Sequence, residues 1–160
     1  MSELLIRTAV VEDFEPFRRF IWSTLKNRTG LRVICELADG LEAVEQISQL
    51  RPDLVLLDIG LPGLDGINVA REIRCRSPKT KILFLTLESS AGMIKEALSN
   101  GASAYVLKID ARRELITAID AVLQGKLFLS SSISNHCLPE HEEKHTASSL
   151  QQREVVVPHP

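Results

Sequence analysis

The chain has 160 residues, 44% of them hydrophobic, and a formal net charge of -2. That length suits one compact domain with a tail, and the near-neutral balance gives no basic footprint for nucleic acid. No apolar run approaches the roughly 20 residues of a membrane-spanning helix, and the start lacks the charged n-region and small-residue cleavage site of a signal peptide, so a cytoplasmic location is expected. Cys35, Cys75 and Cys137 are odd in number, widely spaced and without a CxxC, which suits a reducing compartment.

Residues 4–11 are apolar apart from Arg7 and Thr8 and run into the acidic pair Glu12 and Asp13. They read as a strand that delivers carboxylates at its C-terminal end. Phe17, Phe20, Ile21 and Leu25 follow at helical spacing, with Asp13 a candidate cap and Pro16 tolerated in the first turn. After Gly30, residues 31–37 alternate as a strand nearer a sheet edge does. Asp39 with Glu42 predicts a helix start, and Leu41, Val44, Ile47 and Leu50 form its apolar stripe as far as Pro52.

Residues 54–66 read LVLLDIGLPGLDG. Four apolar residues ahead of Asp58, with turn formers behind it, predict a strand over residues 53–58 that is buried on both faces and carries an acid into a crevice. Asp65 and Gly66 open a short helix with Ile67, Ala70 and Ile73 inward, Asp65 serving as turn and cap, and Ser77-Pro78 closes it. KILFLT, residues 81–86, is a second buried strand and ends in Thr86. A helix over residues 90–100 turns Ile94, Ala97 and Leu98 inward and stops at Gly101. Residues 104–107 form a short strand ending at Lys108, and a last helix over residues 111–124 lies between Asp110 and Gly125.

Five strands alternating with five helices predict an α/β fold: a doubly wound parallel sheet of the flavodoxin-like (βα)5 kind, strand order 2-1-3-4-5, with helices on both faces. The C-terminal ends of strands 1, 3, 4 and 5 then converge, and they carry Glu12 and Asp13, Asp58, Thr86 and Lys108. Three carboxylates in one crevice repel each other, which favours a hard cation such as Mg²⁺. One ammonium and one hydroxyl beside Asp58 are what an added anion there would need. Each residue has a plainer reading alone: Asp58 a turn residue, Glu12-Asp13 a helix cap, Lys108 a surface lysine, Tyr105 a half-buried core tyrosine. The chemistry lies in their occurring together.

On these residues the chain resembles the receiver domains of two-component response regulators, with the closest look to the NarL/FixJ-type (LuxR-type) branch. The resemblance is carried by VVEDF, DIGLPGLDG, the pair Leu85-Thr86 and GASAYVLK at residues 101–108, and it spans residues 4–129. It implies that Asp58 accepts a phosphoryl group from a histidine kinase as a carboxylate nucleophile. It further implies that Glu12, Asp13 and Asp58, with the carbonyl of Gly60, hold Mg²⁺, while Thr86 and Lys108 contact phosphoryl oxygens. Tyr105 matches the aromatic switch position, so that movement of Thr86 would alter the surface of the fourth helix, fifth strand and fifth helix. The implied protein is a switch rather than a turnover enzyme, its only chemistry a self-catalysed phosphotransfer and dephosphorylation. Ile109 stands where other branches have a proline. Leu87 stands where many receivers have a small residue, and it is expected to slow access to Asp58.

Residues 130–160 shift to SSSISNHCLPEHEEKHTASSLQQREVVVPHP and contain all four histidines. HEEKH matches HExxH, which on an amphipathic helix would hold Zn²⁺ with Glu142 as general base. Its flanks are polar, so the segment reads as a solvated linker; a zinc hydrolase, or a zinc site at His136, Cys137, His141 and His145, is set aside. LQQREVV looks like the opening helix of the DNA-binding helix-turn-helix that follows such linkers in NarL/FixJ-type regulators. Pro158 and Pro160 break it, and no recognition helix follows. The expectation is a receiver over residues 1–129 and a polar tail over 130–160, with no DNA binding by this chain alone. The rival reading is the regulatory part of a DNA-binding transcription regulator. Nothing in the sequence singles out a symmetric interface, and a homodimer stays open.

Overall fold

The computed structural model describes residues 4–136, together with Val155, Val156 and Pro158. Its elements are β1 (Ile6–Val11), α1 (Glu15–Leu25), β2 (Leu31–Leu37), α2 (Gly40–Leu50), β3 (Leu54–Leu57), α3 (Gly66–Arg76), β4 (Lys81–Thr86), α4 (Ala91–Ser99), β5 (Ala104–Leu107), α5 (Ala111–Leu123), β6 (Leu127–Leu129), α6 (Ser131–His136) and β7 (Val155–Val156). The continuous apolar runs are the central strands: β3 and β5 are buried at every position. The alternating run, β2, is the half-buried edge.

Among the described residues the sheet has the order β2-β1-β3-β4-β5-β6-β7, with every neighbouring pair parallel. The expected order 2-1-3-4-5 is kept, and two strands beyond it extend the sheet. Strand β6 follows the turn at Gly125 and pairs Phe128 with Ala104. Strand β7 pairs Val155 and Val156 with Leu127 and Phe128. These two valines are therefore strand, not part of an opening helix; their branched side chains favour extended backbone, and Val156 packs on the core behind the sheet. HEEKH and the rest of LQQREVV lie outside the described residues.

The sheet separates two apolar clusters. One, with Ile47, Ile67, Ile94 and Tyr105, lies under α2, α3 and α4; the other, with Ile21, Leu115 and Ile119, lies under α1 and α5. Burial of each such side chain contributes roughly 1.5–3 kcal/mol. Packing does not stop at Leu129: Ser130 and Ile133 are fully buried, and Ile133 joins the cluster that holds Tyr105.

Several local expectations are met. Asp39 accepts the N–H groups of Leu41 and Glu42, and Asp65 accepts that of Asn68. Two are corrected. Asp13 does not cap α1, whose N-cap is Phe14 without a side-chain bond, because the Asp13 carboxylate turns toward the crevice instead. Leu41 is 60% exposed. The helix begins at Gly40 and turns Gly40, Ala43, Val44 and Ile47 inward, which leaves Leu41 on the flank. Among the described residues no helix is long and apolar enough to cross a membrane, and Cys35 and Cys75 are free thiols.

Candidate functional site

Parallel strands in register share one C-terminal edge, so residues at their ends become neighbours without being close in sequence. Val11 is paired with Leu57, and the Asp58 N–H donates to the Val11 carbonyl at 3.0 Å, so that Glu12 and Asp58 leave the sheet side by side. Thr86 is paired with Leu107, which sets Lys108 across from them. Oxygens of Glu12, Asp13 and Asp58 all lie within 4.8 Å of one another. The Lys108 ammonium reaches Asp58 Oδ2 at 3.2 Å and Glu12 Oε1 more closely still. The same ammonium lies 4.7 Å from the centroid of the Phe17 ring.

Glu12 is 1% exposed, and neither of its oxygens has a hydrogen bond of proper geometry among the described residues, its contact with Lys108 being ionic. A buried carboxylate with an orphaned oxygen, flanked by two more carboxylates, is a hard-oxygen donor set that fits Mg²⁺. The charges follow from the geometry. Burial, reinforced by the neighbouring Asp58 carboxylate, pushes Glu12 from 4.5 to about 7, with Lys108 pulling the other way. Burial also works against ionisation of Asp58, but the neighbouring Glu12 carboxyl, Lys108 ammonium and Thr86 hydroxyl outweigh it and hold the carboxyl below its ordinary value. Lys108, despite burial, is raised by the two acids and stays an ammonium.

Asp58 Oδ1 accepts the Ile59 N–H at 2.8 Å, which fixes the plane of the carboxylate. Thr86 is 1% exposed and its Oγ1 accepts the Glu88 N–H at 3.3 Å. The Tyr105 ring is fully buried, with its centroid 6.0 Å from that of Phe84, and its hydroxyl donates to the Glu88 carbonyl at 2.7 Å. Thr86 and Tyr105 are thus tied to the two ends of one residue, Glu88, which nothing in the sequence marks. Arg18 is a second unmarked participant: its Nη1 donates to the Glu12 carbonyl at 2.8 Å. Leu87, next in the chain after Thr86, is 77% exposed.

The loop behind Asp58 is fastened by glycines. A Cβ on Gly66 would lie 2.1 Å from the Asp58 carbonyl oxygen, so only glycine lets the start of α3 approach the strand end this closely. Gly63 has φ +80 and its open side is filled by the Asp39 carboxylate, 2.6 Å from a built Cβ. Gly60 is different: a Cβ there meets nothing within 4 Å, and its φ is not positive.

Three acids, an ammonium and a hydroxyl thus meet at the carboxyl edge of a doubly wound parallel sheet. The family profile of the response regulator receiver domain matches residues 8–120, and the chain belongs to that family. The transcriptional regulatory protein DegU of Brevibacillus brevis is 27% identical over 160 residues, covering 97% of this chain and 68% of its own length. A solved two-component response regulator of the LuxR family, from Aurantimonas sp. SI85-9A1, is 32% identical with a TM-score of 0.79, over 88% of this chain and 99% of that one. The signal receiver domain of the putative response regulator NarL from Mycobacterium tuberculosis is 30% identical with a TM-score of 0.72, over 76% of this chain and 98% of that one. The chain is thus a receiver of the LuxR/NarL type.

Proposed function

We propose that Asp58 accepts a phosphoryl group from a histidine kinase in a Mg²⁺-dependent reaction, and that the resulting charge resets the surface formed by α4, β5 and α5. The observation that carries this reading is the pairing of an ionised Asp58 with Lys108 beside a buried Glu12 whose oxygens meet that same ammonium in an ionic contact. Asp58, oriented by the Ile59 N–H, attacks phosphorus; a new O–P bond forms as the bond to the donor histidine nitrogen breaks. Lys108 moves its ammonium from Glu12 toward a phosphoryl oxygen, and the Thr86 hydroxyl takes another. Mg²⁺, held by Glu12, Asp13, Asp58 and the Gly60 carbonyl, would neutralise the acids and the incoming oxygens.

Readout follows from Glu88. When the Thr86 hydroxyl turns to the phosphoryl group, the Glu88 N–H loses its acceptor, and the Glu88 carbonyl carries the Tyr105 hydroxyl with it. The domain division at residues 129 and 130 is retained as part of this proposal, with α6 packed on the receiver. A cytoplasmic location accompanies it.

The test is incubation with Mg²⁺ and acetyl phosphate, read by intact mass. One phosphoryl group should appear on the wild type and none on Asp58→Asn; absence of any Asp58-dependent adduct refutes the reading. The second reading, the regulatory part of a DNA-binding regulator, is favoured by the match to DegU, a transcriptional regulatory protein. Under it this chain alone does not bind operator DNA, and specific binding in a gel-shift assay would overturn that reading of the tail. Light scattering before and after acetyl phosphate decides whether a homodimer forms.

A further inference from the structure

Three serines follow β6, and each is bonded to residues that adjoin the site. The Ser130 N–H donates to the Tyr105 carbonyl at 3.0 Å, and its hydroxyl oxygen accepts the Leu107 N–H at 3.0 Å. The Ser131 N–H is shared between both Glu114 oxygens at 3.2 Å each, and its hydroxyl donates to the same carboxylate. Ser132 donates its hydroxyl to Asp110 Oδ1 at 2.7 Å and its N–H to Asp110 Oδ2 at 3.1 Å. Both acids are buried, Asp110 to 1% exposure and Glu114 to 6%. Buried carboxylates are costly unless their oxygens are satisfied, and here the first residues of α6 satisfy them.

Asp110 ends a single 3₁₀ turn, Lys108–Asp110, closed by the Ala111 N–H on the Lys108 carbonyl. The ammonium that faces Asp58 and the carboxylate that holds Ser132 therefore project from the two ends of one three-residue turn.

We infer that residues 130–132 read the state of Asp58 through this turn, and that phosphorylation loosens the grip of Asp110 on the start of α6. The inference rests on the phosphoacceptor reading above and adds a second output route to it, one that leads into the C-terminal segment rather than to α4. In the unmodified protein Lys108 divides its ammonium between Glu12 and Asp58. A phosphoryl group on Asp58 draws it off Glu12, and where the Lys108 backbone follows its ammonium, Asp110 is displaced with it, two residues on in the same turn. Ser132 needs both Asp110 oxygens at bonding geometry, and hydrogen bonds weaken steeply with misalignment. Glu114, a full turn further along α5, keeps hold of Ser131, so the start of α6 pivots there rather than detaching.

The test is amide hydrogen exchange on the full chain with and without Mg²⁺ and beryllofluoride, with acetyl phosphate labelling measured in parallel. Exchange at Ser132 should quicken by about tenfold or more when the adduct forms. In Asp110→Ala it should already be fast and should not respond, while Asp58 labels as in the wild type; Ser132→Ala, which loses the hydroxyl bond and keeps the N–H bond to Asp110, should still respond. The second variant separates the hydroxyl bond from the N–H bond whose exchange is read. If the adduct forms and Ser132 exchange is unchanged in the wild type, the inference is overturned and the phosphoacceptor reading stands. If no adduct forms at Asp58, both fall.

Discussion

The Glu12 carboxyl offers the most direct energetic test of the crevice. Its folded value of about 7 lies well above the ordinary 4.5. A carboxyl raised on folding contributes its full stability below the unfolded value and loses it as the pH rises through the folded one. Metal-free protein should therefore weaken between about pH 4.5 and pH 7, by at most about 3 kcal/mol, from 1.36 kcal/mol for each unit of difference. Glu12→Gln keeps the shape and removes the ionisation. In EDTA at pH 8 the variant should melt higher than the wild type by roughly 5–10 °C, since each kcal/mol shifts Tm by about 2–4 °C at this chain length. At pH 4.5 the two should melt together. Added Mg²⁺ should narrow the gap at pH 8 by stabilising the wild type alone. Differential scanning calorimetry at the two pH values decides the matter. A variant that is no more stable than the wild type at pH 8 would refute the view that the burial cost of the Glu12 charge exceeds what Lys108 returns.

Gly66→Ala should cost about 2–3 kcal/mol in urea unfolding and slow acetyl phosphate labelling, because the added Cβ displaces the Asp58 carbonyl. Gly60→Ala should leave stability within about 0.5 kcal/mol of the wild type. Lys108→Met removes the only ammonium that contacts the two buried acids among the described residues. It should lose about 3 kcal/mol at pH 8 without metal and recover as the pH falls and Glu12 takes up its proton. Leu87→Ala should speed labelling by a small phosphodonor no more than about threefold, a barrier change well under 1.4 kcal/mol, because the leucine side chain lies mostly in solvent. Unchanged initial rates would remove Leu87 from consideration as a gate.

The parts of the fold legible in advance were those whose signal is local. KILFLT and residues 104–107 became β4 and β5 with the expected limits because apolar runs bounded by Thr80, Gly101 and Lys108 leave little choice of period. The meeting of Glu12, Asp58, Thr86 and Lys108 was equally legible, since parallel strands force their ends together. Strand β6 was not, since LFL after a helix stop carries too few residues to show a period of two. Segment α6 was hidden for another reason: its serines are capped by Asp110 and Glu114, some twenty residues upstream, and a serine-rich run reads as linker until that contact exists. Glu88 was hidden as well, because it acts through its backbone, which any residue type would supply.

The glycines of the Asp58 loop also bear on how the gene can drift. A codon-by-codon substitution library of residues 58–66 should show Gly63 and Gly66 as barren positions, the one for its backbone and its Asp39 neighbour, the other for the strand end it lies against. Gly60, which presses on nothing, should tolerate replacement wherever folding alone is selected. Any intolerance there would emerge only under selection for signalling. Comparing the two selections would distinguish residues kept for shape from a residue kept for what its backbone touches in the working cell.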